Sequence, residues 1–358
     1  MVRLPGPFGM RHGAVLPQVD IVYETWGRLT PQKDNVLLLV TGLSPGAHAR
    51  SSSEDPSPGW WERMVGPGQA IDTDRFYVVC VNSLGSCHGS TGAASVDPRT
   101  GKLYRLTFPV LTIEDIATAA RAALHALGLP RVRVLVGPSL GGMTALAYCM
   151  LFPDEVDALV CISGAARATP FAIALRSVQR EAIRSDPEWR NGEYEPPGPV
   201  GGLRIARKLG LITYRSATEW RERFGRERVA ADERRETLFG IDFEIEAYLE
   251  RHARKFVGTF DPNAYLYLSR SMDLFDAAEH GGSVEAGLGR ILALDVLVIG
   301  VETDFLFPID QQAEMAAVLE RSGRRVHFAS LPSVQGHDSF LVDMDRFTPV
   351  IAEFLARL

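Results

Sequence analysis

The chain has 358 residues, of which 46% are hydrophobic and 23% charged, and its formal net charge is −6. This composition predicts a folded globular protein without a basic field that would attract nucleic acid or an anionic membrane. We find no apolar run long enough to span a bilayer and no apolar core of a signal peptide near the first residue. The four cysteines lack CxxC pairing, and three of them (Cys80, Cys149 and Cys161) lie in apolar segments as expected for buried thiols. We therefore expect a cytoplasmic protein.

Short apolar runs predict the buried strands of a mostly parallel sheet. These runs are Val36–Val40, Phe76–Val81, Val132–Val136, Ala158–Ile162, Leu294–Ile299 and Val326–Leu331. Helical patterns lie between many of them, namely Ile113–Leu127, Met143–Leu151 and Asp310–Arg321. This alternation predicts an α/β core with helices on both faces of the sheet.

From about Thr169 to Arg290 the strand pattern disappears. Helical spacing occurs in Phe171–Ile183, Leu203–Leu209, Ala217–Phe224 and Glu244–Phe256, with a proline-rich break at Tyr194–Pro199. This pattern predicts a helical lid inserted over the sheet. The predicted organisation is a core in two parts, residues 1–168 and 291–358, separated by a lid at residues 169–290.

The most informative motif is GPSLGG at Gly137–Gly142, between the predicted strand Val132–Val136 and the helix that follows. A strand that enters a helix through Gly-x-Ser-x-Gly is typical of the nucleophile elbow of the α/β-hydrolase fold. The glycines permit a turn in which a Cβ atom would collide with the backbone. The string alone occurs by chance in many proteins, but its position between a strand and a helix predicts that Ser139 is a nucleophile.

A serine nucleophile needs a base and an acid, which this fold supplies in the chain order serine, acid, histidine. Asp304 follows a late strand and is the preferred acid, with Glu302 as its closest competitor. Asp295 falls inside that strand, and Asp310 begins the next helix.

The base is expected in the loop that follows the last strand. His337 lies there, and Gly336 gives the loop freedom to turn the imidazole toward the sheet edge. His327 lies within the strand itself and is the weaker candidate. Backbone amides of Leu140 and Leu43 are the predicted oxyanion donors, since one follows the nucleophile and the other follows an early strand.

Metal and nucleotide motifs are not apparent in the sequence. We see no metal-ligand cluster, no GxGxxG and no Walker pattern. We therefore expect neither a metal ion nor a bound cofactor.

With these residues in place, the chain resembles the homoserine/serine O-acyltransferase family of α/β hydrolases over nearly its whole length. The segments that carry the resemblance are GWW at 59–61, VGPG at 65–68, IDTDR at 71–75, NSLGSC at 82–87, GSTG at 89–92, FPV at 108–110, QREAI at 179–183, FDPN at 260–263, YLYL at 265–268, DFLFP at 304–308 and GHD at 336–338. So many matches in order are far more specific than the elbow alone.

The resemblance implies two-step acyl transfer from an acyl-CoA co-substrate to an amino-acid hydroxyl. Ser139 would carry the acyl group, His337 would be the base and Asp304 would orient it. Arg180 and Asp338 fall at the family's substrate-binding positions and would face the carboxylate and the ammonium of the amino acid. A homodimer is also expected by this resemblance.

Two departures from the usual homoserine pattern bear on the substrate. Residues 41–46 read TGLSPG where homoserine acyltransferases usually have HALTG, and the elbow reads GPSLGG where they usually have GGSMGG. The TGLS version resembles the branch that acylates L-serine. The residues predicted to set this specificity are Ser44, Pro45, Gly46, Ala47 and His48.

The second departure is Arg176, one helical turn before Arg180, where many acetyl-transferring relatives have a neutral residue. A guanidinium there could pair with the free carboxylate of a succinyl group. The preferred reaction is therefore succinyl-CoA with L-serine, in cysteine biosynthesis. Three alternatives stay open: homoserine or acetyl-CoA as substrate, in methionine biosynthesis; an ester or thioester hydrolase; and a non-catalytic binding protein.

Overall fold

The computed structural model describes residues 1–230 and 238–358, and its centre is a seven-stranded sheet. The strands are β1 (Tyr23–Trp26), β2 (Val36–Val40), β3 (Tyr77–Val81), β4 (Val132–Pro138), β5 (Val156–Ile162), β6 (Asp295–Val301) and β7 (Arg325–Leu331). Their order is β7-β6-β5-β4-β2-β3-β1. All pairs are parallel except β1 with β3, which is antiparallel.

Eleven α-helices are present in the described residues. They are α1 (Ile113–Ala126), α2 (Leu140–Leu151), α3 (Pro170–Arg184), α4 (Val200–Thr213), α5 (Ala217–Phe224), α6 (Glu244–Phe256), α7 (Pro262–Leu274), α8 (Val284–Leu288), α9 (Ile309–Arg321), α10 (Ser339–Val342) and α11 (Met344–Ala356). Short 3₁₀ turns occur at Arg105–Thr107, Pro153–Glu155, Pro187–Gly192, Ala277–His280 and Gly336–Asp338. None of the described helices is long and apolar enough to cross a membrane.

The sheet is covered on both faces, which explains why its strands read as continuous apolar runs. On β4, Leu135 faces the core cluster formed with α1, α2 and α9, while Val134 and Val136 face the cluster formed with α11. Leu135 lies opposite Leu38 of β2 and Leu159 of β5. The alternation of side chains along each strand thus divides one sheet between two apolar layers.

Three further strand pairs lie outside the central sheet. Val2–Arg3 pairs with Asp20–Ile21, Phe8–Gly9 with Val15–Leu16, and Val65–Gly66 with Ile71–Asp72.

The chain between β5 and β6 contributes α3 to α8. Leu203 of α4, Phe256 of α6 and Leu268 of α7 are buried in the same apolar cluster as the sheet residues. The helices therefore cover the sheet as predicted for a lid, and the domain boundaries at residues 168 and 290 stay a prediction.

The predicted fold class is confirmed, and so are the six predicted strands, each within two residues at either end. The predicted helices α5 and α6 have the observed bounds, and the three cysteines expected to be buried are buried. The prediction for α2 was wrong at its start, because the helix begins at Leu140 and not at Met143. No strand was predicted for β1 or for the three outer strand pairs, and no helix bounds were predicted for α7, α8, α10 and α11.

The early start of α2 has a steric reason. A Cβ atom on Gly141 would lie 2.4 Å from the carbonyl oxygen of Val40, and one on Gly142 would lie 2.9 Å from the Cα atom of Gly164. Both glycines lie in the first turn of α2, where they allow the helix to approach the end of β2 and the chain after β5 closely.

Candidate active site

Ser139 lies at the sharp turn between β4 and α2. Its backbone has φ 57° and ψ −121°, a strained conformation for a residue with a side chain, and its amide donates to the carbonyl oxygen of Ile162 at 2.8 Å. A Cβ atom on Gly137 would lie 2.1 Å from the carbonyl oxygen of Gly141. The turn can thus close only with glycine at both flanking positions, as the elbow motif predicts.

His337 and Asp304 complete a hydrogen-bonded relay to Ser139. The Nε2 atom of His337 lies 2.7 Å from Ser139 Oγ, and its Nδ1 atom lies 2.6 Å from Asp304 Oδ2. Asp304 follows β6, and His337 lies in the 3₁₀ turn that follows β7, so both reach the same edge of the sheet as the elbow. With the proton assigned to Nδ1, the imidazole can accept the proton of the serine hydroxyl.

The Asp304 side chain is completely buried, and its second oxygen is held by the backbone. The amides of Leu306 and Phe307 both donate to Oδ1 at 2.9 Å. These donors fix the carboxylate in the orientation that faces the imidazole.

The competing acid and base lie elsewhere. Glu302 is exposed and accepts a hydrogen bond from Ser330 Oγ at 3.0 Å. His327 is exposed within β7, opposite Leu297 of β6. Neither side chain is part of the relay.

The surroundings of His337 make it a stronger base than an isolated imidazole. Burial lowers its pKa, but the charge and hydrogen bond of Asp304 and the charge of Asp338 outweigh burial, so the pKa is raised. The ring also stacks on Phe307, with 4.8 Å between centroids and 15° between planes.

The amides proposed as oxyanion donors lie on either side of the elbow. Leu140 is the first residue of α2, where a helical amide has no acceptor one turn earlier in its own helix. The Leu43 amide donates to no described acceptor. Leu43 also lines the cavity that contains Ser139. Their role as donors stays a prediction.

The cavity above the relay is enclosed by the sheet edge and by helices of the lid. It is lined by Gly42, Leu43, Ser44, Pro45, Ser139, Arg176, Gln179, Thr213, Tyr214, Tyr265, Met272, Leu306, Phe307, His337, Asp338, Phe340 and Leu341. Of the five residues predicted to set specificity, only Ser44 and Pro45 line it.

The other three predicted specificity residues do not line the cavity, and their role in specificity stays a prediction. Gly46 packs against His88, and Ala47 is buried. His48 uses Nδ1 to contact Glu24 at 2.8 Å and Nε2 to contact the carbonyl oxygen of Ser57 at 2.8 Å. Sequence proximity to Ser44 suggested a common role, but the loop turns away from the cavity after Pro45.

The two predicted substrate arginines share one carboxylate. Arg176 Nε lies 2.6 Å from Asp273 Oδ1, and Arg180 Nη2 lies 2.6 Å from Asp273 Oδ2. Arg180 Nη1 also donates to Ser269 Oγ at 2.9 Å. Asp273, which the sequence analysis missed, is therefore the residue that positions both guanidinium groups.

Only one of these arginines lines the Ser139 cavity. Arg176 has a side chain that is 6% exposed, and its buried Nη1 atom has no hydrogen-bond partner in the described residues. Arg180 instead lines a separate groove on the neighbouring side of α3. The bonds to Asp273 and Ser269 hold it there, so its predicted contact with an amino-acid carboxylate stays a prediction.

Asp338 lines the Ser139 cavity beside His337. Its amide donates to the carbonyl oxygen of Tyr214 at 3.1 Å, and its carboxylate lies 3.8 Å from Arg215 Nη2. Burial raises its pKa, against the opposing effect of Arg215. An acidic group at this position suits an ammonium ligand.

Several lid residues that line the cavity were not predicted as site residues from the sequence. Gln179, Thr213, Tyr214, Tyr265 and Met272 belong to α3, α4 and α7 or lie next to them. Their helical spacing gave no sign of a cavity, since the same spacing is typical of core residues. In the described residues, no group of His, Cys, Asp and Glu is arranged to hold a metal ion.

Comparisons with known proteins agree with this geometry. A family model for the alpha/beta hydrolase fold matches residues 35–342. A "Serine O-succinyltransferase" of Litchfieldella anticariensis is 57% identical over 357 residues, which cover 99% of this chain and 97% of that protein. One from Stenotrophomonas maltophilia is 56% identical over 99% of this chain and 96% of its own length. The chain belongs to the homoserine/serine O-acyltransferase family of α/β hydrolases.

Solved structures place this family member near both transferases and esterases. A homoserine O-acetyltransferase from Bacillus anthracis superimposes with a TM-score of 0.90 at 26% identity, covering 99% of this chain and 96% of that one. Esterase E22 superimposes with a TM-score of 0.88 at 28% identity, covering 99% of both chains. The shared scaffold thus serves acyl transfer to different acceptors.

Proposed function

We propose that this protein is a serine O-succinyltransferase, which converts succinyl-CoA and L-serine into O-succinyl-L-serine and CoA. The observation that carries this proposal is the cavity itself. It is lined by Ser139, whose hydroxyl is hydrogen-bonded to His337, by Asp338, and by Arg176, whose buried Nη1 atom has no hydrogen-bond partner in the described residues. The names of relatives that are 53–57% identical support the same reaction.

In the first half-reaction, His337 Nε2 takes the proton of Ser139 as Oγ bonds to the thioester carbonyl carbon. The carbonyl oxygen becomes an oxyanion, which the amides of Leu43 and Leu140 would stabilise. The carbon–sulfur bond then breaks, and the leaving thiolate of CoA receives the proton from His337. Ser139 is left as a succinyl ester.

In the second half-reaction, L-serine occupies the space next to the acyl group. His337 takes the proton of its hydroxyl, and the hydroxyl oxygen bonds to the ester carbonyl carbon. The bond to Ser139 Oγ then breaks, and His337 returns the proton to Ser139. Throughout both steps Asp304 holds the imidazole and stabilises its positive charge.

Charges in the cavity fit both substrates. Arg176 lines the cavity and has an unpaired N–H donor, so we expect it to pair with the terminal carboxylate of the succinyl group. Asp338 can receive the ammonium of L-serine. These contacts would hold a charged acyl group and a zwitterion in the same cavity as Ser139.

Two other reactions use the same machinery. Transfer of acetyl or succinyl to homoserine requires space for one more methylene, which is worth only about 1–3 kcal/mol in a pocket. Hydrolysis uses water as the acceptor, and the likeness to esterase E22 is the observation that favours it.

Steady-state kinetics with two donors and two acceptors tests the proposal. We expect the highest kcat/KM with succinyl-CoA and L-serine, and ping-pong behaviour with a mass increase on Ser139 from succinyl-CoA alone. A higher kcat/KM with homoserine would support a homoserine acyltransferase, and a higher kcat/KM with acetyl-CoA would support an acetyltransferase. Equal release of CoA with and without an amino acid would support a hydrolase.

We further propose that the enzyme works in the cytoplasm as a homodimer, with acyl-CoA as co-substrate and no bound cofactor. The proposed product would supply a cysteine-forming reaction. Fractionation and solution mass measurements test the location and the oligomeric state.

A further inference from the structure

A second groove lies between α3 and α7, next to the Ser139 cavity. It is lined by Leu106, Ser177, Arg180, Arg184, Leu266, Tyr267 and Arg270. Three of these seven residues are arginines, and none is acidic. No step of the proposed reaction described above uses this groove.

The positive charge of the groove arginines is not fully neutralised by neighbouring carboxylates. Arg184 and Arg270 are exposed, and neither forms an ion pair with a described carboxylate. Arg180 shares the single carboxylate of Asp273 with Arg176. Arg184 instead lies over the Trp189 ring, with its Cζ atom 5.8 Å from the centroid. Unpaired guanidinium groups around a concave surface are a typical site for phosphate, which they can bind through two N–H donors.

The groove also has an apolar wall. Leu106, Leu266 and Tyr267 line it together with the arginines, and the Tyr267 hydroxyl donates to the carbonyl oxygen of Phe108 at 2.6 Å. This bond fixes the ring, which leaves its face as a surface on which a flat or aliphatic group can pack.

The groove and the Ser139 cavity are both lined by residues of α3 and α7. On α3, Arg176 and Gln179 face the cavity, whereas Ser177, Arg180 and Arg184 face the groove. On α7, Met272 faces the cavity and Arg270 faces the groove. Residues one turn apart on a helix are only about 5–6 Å apart. The arm of CoA between its thioester and its phosphates is many bonds longer than one helical turn, so one molecule can occupy both sites.

We propose that this groove binds the phosphate groups of the acyl-CoA donor, with Arg184 and Arg270 as the phosphate-binding residues. The inference rests on the proposed function, because it assigns a place to the donor of that reaction. The thioester would lie at Ser139 while the nucleotide end stays at the outer groove.

The test compares two donors in one double variant, Arg184→Ala with Arg270→Ala. Two lost contacts to phosphate should lower kcat/KM for succinyl-CoA by at least about tenfold, mainly through KM. With the N-acetylcysteamine thioester of succinate, which has no phosphate, kcat/KM should be unchanged. The loss with succinyl-CoA should shrink at high salt, where phosphate contacts are screened. Arg321→Ala, at an exposed arginine of α9, is the matched control and should behave as the wild type.

Three outcomes would overturn the inference. An unchanged KM for succinyl-CoA would remove the groove from donor binding, and an equal loss with both donors would show a structural effect of the substitutions. Inorganic phosphate that competes as strongly as CoA would identify a general anion site.

Calorimetric titration of CoA into Ser139→Ala, with and without the two arginine substitutions, separates this inference from the reaction. Affinity that is unchanged by the two substitutions overturns the groove even if acyl transfer is confirmed. A wild type that binds CoA through the groove but forms no acyl-serine would overturn the proposed function alone.

Discussion

The edge of the sheet and the helix pair α3–α7 hold their functional groups in different ways. At the sheet edge the backbone does the positioning: the Ser139 amide bonds to Ile162, and two amides hold Asp304. In the helix pair, Arg176 and Arg180 are positioned by the Asp273 carboxylate, which contacts both. Backbone positioning requires glycines and strand ends, which leave a sequence motif, whereas an ion pair between helices leaves almost none.

The largest effect should come from the sheet edge. Asp304→Asn removes the acceptor that fixes the imidazole tautomer, and we expect kcat to fall by about 10³–10⁴-fold while the fold is kept. Glu302→Gln is the matched control, since this acid lies nearby in sequence but outside the relay. CoA release from succinyl-CoA, followed with a thiol reagent, measures both. Similar losses in the two variants would contradict the assignment of the acid.

A smaller and donor-dependent effect is expected in the helix pair. Arg176→Ala should lower kcat/KM for succinyl-CoA by about 10–100-fold, the value of a charge-assisted hydrogen bond. The loss with acetyl-CoA should be much smaller, since that donor has no terminal carboxylate. Arg176→Lys keeps the charge without the planar donor and should lie between. Equal losses with both donors would refute a role in donor selection.

The smallest effect concerns the pH dependence of the rate, which involves His337 of the sheet edge and its neighbour Asp338. His337 acts as a base only when neutral, so the rate rises as pH passes upward through its pKa. Because the Asp338 charge raises that pKa, Asp338→Asn should lower it and shift the acidic limb to lower pH. Single-turnover CoA release without amino acid measures this limb independently of ammonium binding. Asp310→Asn, at an exposed carboxylate, is the control; a limb that stays or moves to higher pH would contradict the effect.

The contrast between the sheet edge and the helix pair explains which features the sequence could predict. The order of strands and helices followed from apolar runs, and the relay followed from the elbow and the fold's chain order. The edge strand β1 has only four residues, and three of them are partly exposed, so it had no continuous apolar run. In α11 the internal Pro349 interrupts a pattern that otherwise reads as helical.

The lid side of the site was harder to predict for a physical reason. Which of Arg176 and Arg180 faces the cavity depends on how α3 is rotated against α7, and a difference of one residue turns a side chain by about 100°. The carboxylate of Asp273 positions both arginines, and it is 97 residues away from Arg176 in the chain. No local pattern connects them.

The turn between α4 and α5 is in direct contact with the loop that contains His337. Ser216 Oγ donates to the carbonyl oxygen of Val334, the Asp338 amide donates to Tyr214, and a Cβ atom on Gly336 would lie 2.9 Å from the backbone at Arg215. If this turn moved away from the loop, the imidazole of His337 would be held less firmly. The position of the base therefore depends on the lid as well as on the sheet edge.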